Sequence, residues 1–170
     1  ARNSLLVVAL LTLATVLLAV APELLVADSW MTLVAGREIA EHGLPDHEAL
    51  TVMPLGVGWT DQQWLAQIVF YGAERLGGLR LALLLDVVLV VAAFATAVTA
   101  SRLRGASAQS TLFAAAVAMI VAPWGWQLRA QSFALPLFAL VLSLVALDPG
   151  LRRRRTWLVF PLLVVWANLH

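Results

Sequence analysis

Residues 23–50 read ELLVADSWMTLVAGREIAEHGLPDHEAL, and they follow directly on an uncharged run, Asn3–Pro22. Six of the ten acidic residues and two of the three histidines fall in this short stretch. The fold turns on whether the run before it is a buried core helix or a membrane span that delivers a polar loop. Composition favours the span. The chain has 170 residues, of which 62% are hydrophobic and 12% charged, with a mean hydropathy of +0.90. A soluble domain is about 45–50% apolar and about 25% charged. A water-soluble core of this size could not hide the excess, so lipid must form part of the solvent. Absence of cysteine excludes disulfides, thiolate metal sites and cysteine nucleophiles. All eleven basic residues are arginine, which with the many alanines, leucines and valines suggests a GC-rich bacterial genome.

The N-terminus has some features of a cleaved leader. Arg2 precedes the apolar run, and Ala19-Val20-Ala21 has a small-x-small form. The run is longer than a leader's apolar region, however, and Pro22 would sit just after the cut. Leu5–Ala21 is therefore read as a retained helix. Four more runs follow: Leu81–Ser101 (interrupted by Asp86), Gly105–Leu128, Ala130–Leu147 and Thr156–Leu169. Crossing a bilayer takes about 20 apolar residues as a helix. The expectation is an all-α polytopic membrane protein with about five spans in one membrane domain, 1–170. Its outer loop, 23–80, carries two amphipathic interfacial helices.

The arginines orient the spans. With the N-terminus in the cytoplasm, Arg2, Arg102, Arg104 and Arg152–Arg155 fall inside, with Asp148 the one acid there. Arg37, Arg75, Arg80 and Arg129 fall outside with most of the acids. The basic excess lies in short loops, where the positive-inside rule has force. The chain is thus expected in a bacterial inner membrane, with loop 23–80 periplasmic or extracellular. Arg152–Arg155 is a topology anchor that meets anionic lipid. No nucleic-acid role is read from it.

In the outer loop, Ser29–His42 reads as one helix, stopped by Gly43 and Leu44-Pro45. A second begins at WTDQQW, 59–64, with Thr60 and Gln63 in capping-box positions and Trp59 and Trp64 as a staple. It ends at Gly77-Gly78. Tryptophans on such helices suit the headgroup level.

Several side chains could carry chemistry, each with a plainer alternative. Asp28 could cap the interfacial helix or act as a carboxylate base. Asp46-His47-Glu48 could be a solvated turn or a metal site, or Asp46 could face a sugar or acceptor. Arg129, beside Gln131 and flanked by Trp124 and Trp126, could snorkel to headgroups or grip a phosphate. Asn168 and His170 lie at the outer end of the last run, where the histidine could be interfacial or bind phosphate. Asp86 could be functional or could pair with Arg80 or Arg129. No P-loop, dinucleotide fingerprint, H-E-x-x-H or G-x-S-x-G occurs, so no cofactor is indicated.

An order of short motifs runs through these residues: Asp28, then Trp30, Gly36, Ile39, Gly43 and Pro45, then Gly56 or Gly58 with Trp59 and Trp64-Leu65, then Arg75-Leu76-Gly77-Gly78. This order resembles the N-terminal part of the integral-membrane C-type glycosyltransferases, relatives of the protein mannosyltransferases and the lipid A aminoarabinose transferases. LRAQSF and VVWANLH, later in the chain, resemble a bacterial branch of mostly unassigned substrate. The resemblance implies transfer of a sugar from a polyprenyl-phosphate donor to a glycan, lipid or protein acceptor on the outer face. It implies that Asp28 is the essential carboxylate of the first outer loop, acting as general base on the acceptor or orienting it. Many members have two adjacent acids where this chain has Asp28-Ser29, and R-P-Q where it has Arg129-Ala130-Gln131. The superfamily core has more than five spans, so this resembles an N-terminal portion that would not turn over alone. A non-catalytic membrane scaffold or lipid-glycan carrier subunit is the alternative expectation.

Overall fold

The computed structural model describes residues 2–48, 50, 57–121, 123–148, 150 and 153–170. Gly56 and Arg152 lie outside the described residues, as do the side chains of Arg2 and Trp124. The fold is all-helical. Among the described residues no strand forms, and a lone antiparallel bridge joins His47 to Gly58.

Six α-helices follow in order: α1 Arg2–Val20, α2 Ala27–His42, α3 Trp64–Leu103, α4 Ala108–Val121, α5 Ala134–Ala146 and α6 Val159–Leu169. Two stretches are long and apolar enough to cross a membrane, Ser4–Leu24 and Trp64–Leu103. The later runs form helices shorter than the runs themselves. α4 ends before Pro123-Trp124-Gly125-Trp126, which forms a 3-10 turn. Further 3-10 turns, Ala130–Phe133 and Arg154–Leu158, lead into α5 and α6. Pro136 and Pro161 sit in the first turns of these two helices, where proline is tolerated.

α3 is the element the others pack on. It is interrupted at Gly77 and Gly78, whose dihedrals are non-helical. Gly78 has φ +68°, a left-handed conformation that favours glycine. The break gives two arms, 64–76 and 79–103, where the sequence placed its helix stop. Buried Leu13 and Leu17 of α1, Leu33 of α2, Phe70 of the first arm, Ala82, Leu83, Val87 and Val90 of the second arm, and Leu128 form the core. Phe70 meets Phe133 edge-on, with ring centroids 5.2 Å apart. Outward faces stay apolar. Leu11 of α1, Phe113 and Ile120 of α4, Phe138 of α5 and Phe160 and Val164 of α6 are all more than half exposed.

The helix ends sort into two groups. At one end the Arg104 guanidinium donates to the Ala146 carbonyl, joining the end of α3 to the end of α5. Asp148 there accepts from the Arg153 amide at 2.7 Å and the Thr156 hydroxyl at 2.6 Å. At the other end lie α2, the first arm of α3, residues 127–133 and the end of α6.

Two expected helix starts shift. α2 begins at Ala27, not Ser29. Val26 is extended, and the Ser29 hydroxyl accepts the Val26 amide at 3.1 Å, so Ser29 closes the helix end three residues in. The capping box at Thr60 does not form, and α3 starts at Trp64. Asp61 takes its place: its carboxylate accepts the Gln63 amide at 2.8 Å, holding a turn just before the helix.

Candidate functional site

α2 crosses the first arm of α3 at Gly36. A Cβ there would lie 2.2 Å from the Gln67 carbonyl oxygen and 2.8 Å from the Tyr71 Cβ, so only glycine permits this approach. Each flank of the crossing holds a cavity. One, of about 360 Å³, is lined by Asp28, Thr32, Glu48, Trp59, Asp61, Gln63, Gln67 and Gln131, with Met31, Ala35 and Leu50. The other, of about 420 Å³, is lined by Trp30, Arg37, Glu41, Tyr71, Glu74 and Arg75, with Leu33, Val34 and Leu79.

The first cavity gathers residues distant in sequence. Because Ser29 secures the helix start, the Asp28 side chain is free to reach across the bundle. Its Oδ2 lies 3.4 Å from Nη2 of Arg129, with the carboxylate 62% exposed and the guanidinium 31% exposed. Arg129 is held by the same local device. Its backbone is extended, and the hydroxyl of Ser132, three residues on, accepts its amide at 3.4 Å while donating to the Gln127 carbonyl at 3.3 Å. Arg129 Nε is buried and without a partner among the described residues. Gln131, two residues on, lines the cavity.

Asp61 and Gln67 are site residues that the sequence reading did not single out. The Gln67 amide nitrogen donates to Asp61 Oδ1 at 3.3 Å, which orients the side chain, because a carboxylate can only accept. Its Oε1 is left buried and without a partner among the described residues. An orphaned buried acceptor costs free energy until a ligand or water donates to it. Gln63, just before α3, and Gln67 in its first turn stand four apart, and that polar pair beside Trp64, Leu65 and Ala66 is the signal available in the sequence.

The remaining expected residues lie around this cavity. His170 is outside it but touches its wall: Gln63 Nε2 donates to His170 Nδ1 at 3.2 Å. Asn168 accepts from the Trp64 indole nitrogen at 3.2 Å, tying the end of α6 to the start of α3. Asp46 is not in the lining. It is highly exposed and bonded to the neighbouring His47 ring, which holds its carboxyl below the usual aspartate range. Its backbone carbonyl accepts the Trp59 amide at 3.0 Å. Glu48 does line the cavity, and its Oε1 accepts the Leu50 amide at 2.7 Å. Asp46 and His47 therefore bond to each other while Glu48 turns to the Leu50 amide, and the three do not converge on one point. Asp86 does not pair with Arg80 or Arg129. It is buried under the Arg129 turn, facing the Ser132 hydroxyl.

The arrangement sets one carboxylate against one guanidinium at the mouth of a cavity rich in hydrogen-bond acceptors. Compared with protein families, curated proteins and solved structures, the chain matches none.

Proposed function

We propose that this chain is a five-span inner-membrane protein whose outer end transfers a sugar from a polyprenyl-phosphate donor. Three physical features support the membrane part. Large apolar side chains stay exposed on α1, α4, α5 and α6, and a water-soluble monomer rarely leaves so large an apolar surface bare. With their leading 3-10 turns, α5 and α6 each reach roughly 27 Å, close to the hydrocarbon thickness. The two groups of helix ends are those that the arginine distribution assigns to opposite sides. On this reading the N-terminus is cytoplasmic and residues 23–80 face outward.

The observation that carries the transferase reading is the 3.4 Å approach of Asp28 to Arg129 across about a hundred residues of sequence. A glycosyl transfer needs a base for the acceptor and a cation for the departing phosphate. In the resting state the two groups pair with each other. A donor phosphate competes for the guanidinium, which can bind it through two N–H groups. That leaves the Asp28 carboxylate free to take the acceptor hydroxyl proton. The acceptor oxygen then bonds to the anomeric carbon as the bond to phosphate breaks. The phosphate leaves with the electron pair, and Arg129 offsets its added negative charge. Attack opposite the leaving group inverts the anomeric centre. The Gln63, Gln67, Asp61 and Gln131 side chains would orient sugar or acceptor hydroxyls. His170 acts on the cavity through Gln63, and Asn168 anchors Trp64 at the start of α3. Metal chemistry is not part of this scheme.

The test is the Asp28→Asn variant of the full-length protein, assayed for transfer from a panel of polyprenyl-phosphate monosaccharides. Transfer is expected to be abolished at unchanged membrane insertion. Transfer at the wild-type rate overturns the base assignment. A scaffold role would leave transfer absent in both proteins.

A further inference from the structure

The second cavity, on the opposite flank of the Gly36 crossing, belongs to no step of the proposed transfer. Two guanidiniums, Arg37 and Arg75, and two carboxylates, Glu41 and Glu74, face it. Among the described residues none of the four is closed into an ion pair with another. They are nevertheless within electrostatic reach, since Glu41 and Glu74 both act on the Arg75 charge. The Tyr71 hydroxyl accepts from Arg75 Nη1 at 3.5 Å and holds that side chain toward the cavity. Leu33, Val34 and Leu79 form an apolar wall, and half-exposed Trp30 stands at the rim. Opposite charges held around one space without neutralising each other suit a ligand that itself carries both charges.

We propose that this cavity binds the headgroup of a zwitterionic phospholipid with a primary ammonium, phosphatidylethanolamine. The inference rests on the outer-face membrane placement above but not on the transfer chemistry. The phosphate meets Arg37 and Arg75, and the ammonium meets Glu41 and Glu74. Charge complementarity sets the choice among lipids. An anionic phosphatidylglycerol satisfies the arginines but leaves both carboxylates without a cation. A phosphatidylcholine carries the charge but has no N–H to donate, and Trp30 and Tyr71 alone would favour it through cation–π contact. Tryptophan and tyrosine at the rim match the headgroup level of a bilayer, and the apolar wall offers a surface to the first acyl carbons.

The test is native mass spectrometry of the full chain after exchange into equal amounts of phosphatidylethanolamine, phosphatidylglycerol and phosphatidylcholine. The last lipid retained is expected to be phosphatidylethanolamine, favoured roughly tenfold over each of the others, as one charge-assisted hydrogen bond would give. Glu41→Gln with Glu74→Gln should remove the preference over phosphatidylcholine. Arg37→Gln with Arg75→Gln should lower retention of all three. Arg37, Glu41 and Arg75 are exposed and Glu74 is half-buried, and melting temperatures near wild type confirm that the variants fold. Equal retention of the three lipids, or an unchanged preference in the glutamate variant, overturns the proposal while leaving the transferase reading intact. A chain that takes up no lipid at all overturns the membrane placement and this inference with it.

Discussion

The two cavities flanking the α2–α3 crossing are similar in size, yet one is completed by residues 48–63 and Gln131 while the other is lined by the two helices alone, and their charges are organised differently. On one flank Asp28, Glu48 and Asp61 gather with carboxamides, and the Arg129 guanidinium approaches Asp28 at the edge. On the other, two arginines and two glutamates balance without an ion pair among them. The first arrangement is polarised: it pairs one base with one cation and surrounds them with acceptors, as a transfer reaction would need. The second is neutral and open, suited to holding a ligand rather than changing it. What divides them is Gly36, whose lack of a side chain lets α2 lie directly on the α3 backbone. Charge count alone does not distinguish the two cavities; the approach of a sequence-distant cation to Asp28 does.

The largest effect is expected at Gly36, between the two cavities. Gly36→Ala forces a Cβ against the Gln67 carbonyl and must move one helix. A destabilisation of about 1–3 kcal/mol is expected, with phosphate-lipid and phosphatidylethanolamine binding lost together. Thermal melting in lipid nanodiscs checks the first and native mass spectrometry the second. An unchanged melt would mean that the crossing is not where the cavities are set. Gly78→Ala probes the break between the α3 arms. Its backbone, with φ +68° and ψ −174°, is nearly reserved for glycine and should cost roughly 1–3 kcal/mol with alanine, and a melting shift no larger than that of Gly36→Ala is expected.

Gln67→Met sharpens the comparison from the polarised side. It removes a buried orphaned acceptor along with the bond to Asp61, so the two changes should nearly cancel, within ~1 kcal/mol. Sugar-ligand affinity should fall while phosphatidylethanolamine retention stays put. His47→Ala is expected to touch neither cavity. In the wild type the His47 contact depresses the Asp46 carboxyl. The contact is therefore intact above the ordinary aspartate range and lost as pH falls through the lowered value. Removing the ring should return the Asp46 titration upward, read by carboxyl-carbon NMR, with no change in either ligand.

Much of the fold was legible because it rests on one-dimensional signals. Apolar run lengths located α1, the second arm of α3 and the three later helices. Gly77-Gly78 located the break, since few other residues reach φ +68° cheaply. Helix starts were misplaced where side chains competed for the first amides. Asp61 displaced Thr60, and Ser29, not Asp28, secured α2. That second misplacement bears on the site, because it frees Asp28 from the capping role that its position suggested. Of the site, Asp28, Arg129 and Gln131 were legible as polar residues at span ends. Their juxtaposition was not, because nothing local links residue 28 to residue 129. Gln67 and Asp61 were passed over for a related reason. In sequence, one lies in the first turn of a helix and the other in the turn before it, and only the packing of Gln67 against Gly36 and its bond to Asp61 bring them to a shared space. Asp46 was singled out by its charge, yet its neighbour His47 occupies it.

The most direct test of the account compares Arg129→Gln with Arg75→Gln for binding undecaprenyl phosphate, with undecaprenol as the reference lacking phosphate. Native mass spectrometry of the chain in nanodiscs reads both. The account predicts a clear preference of wild type for the phosphate. Arg129→Gln should reduce it about ten- to a hundredfold, the worth of a charge-assisted contact, and Arg75→Gln should leave it unchanged. Equal losses in the two variants, or no preference for the phosphate in the wild type, would contradict the assignment of the donor to the Asp28–Arg129 cavity.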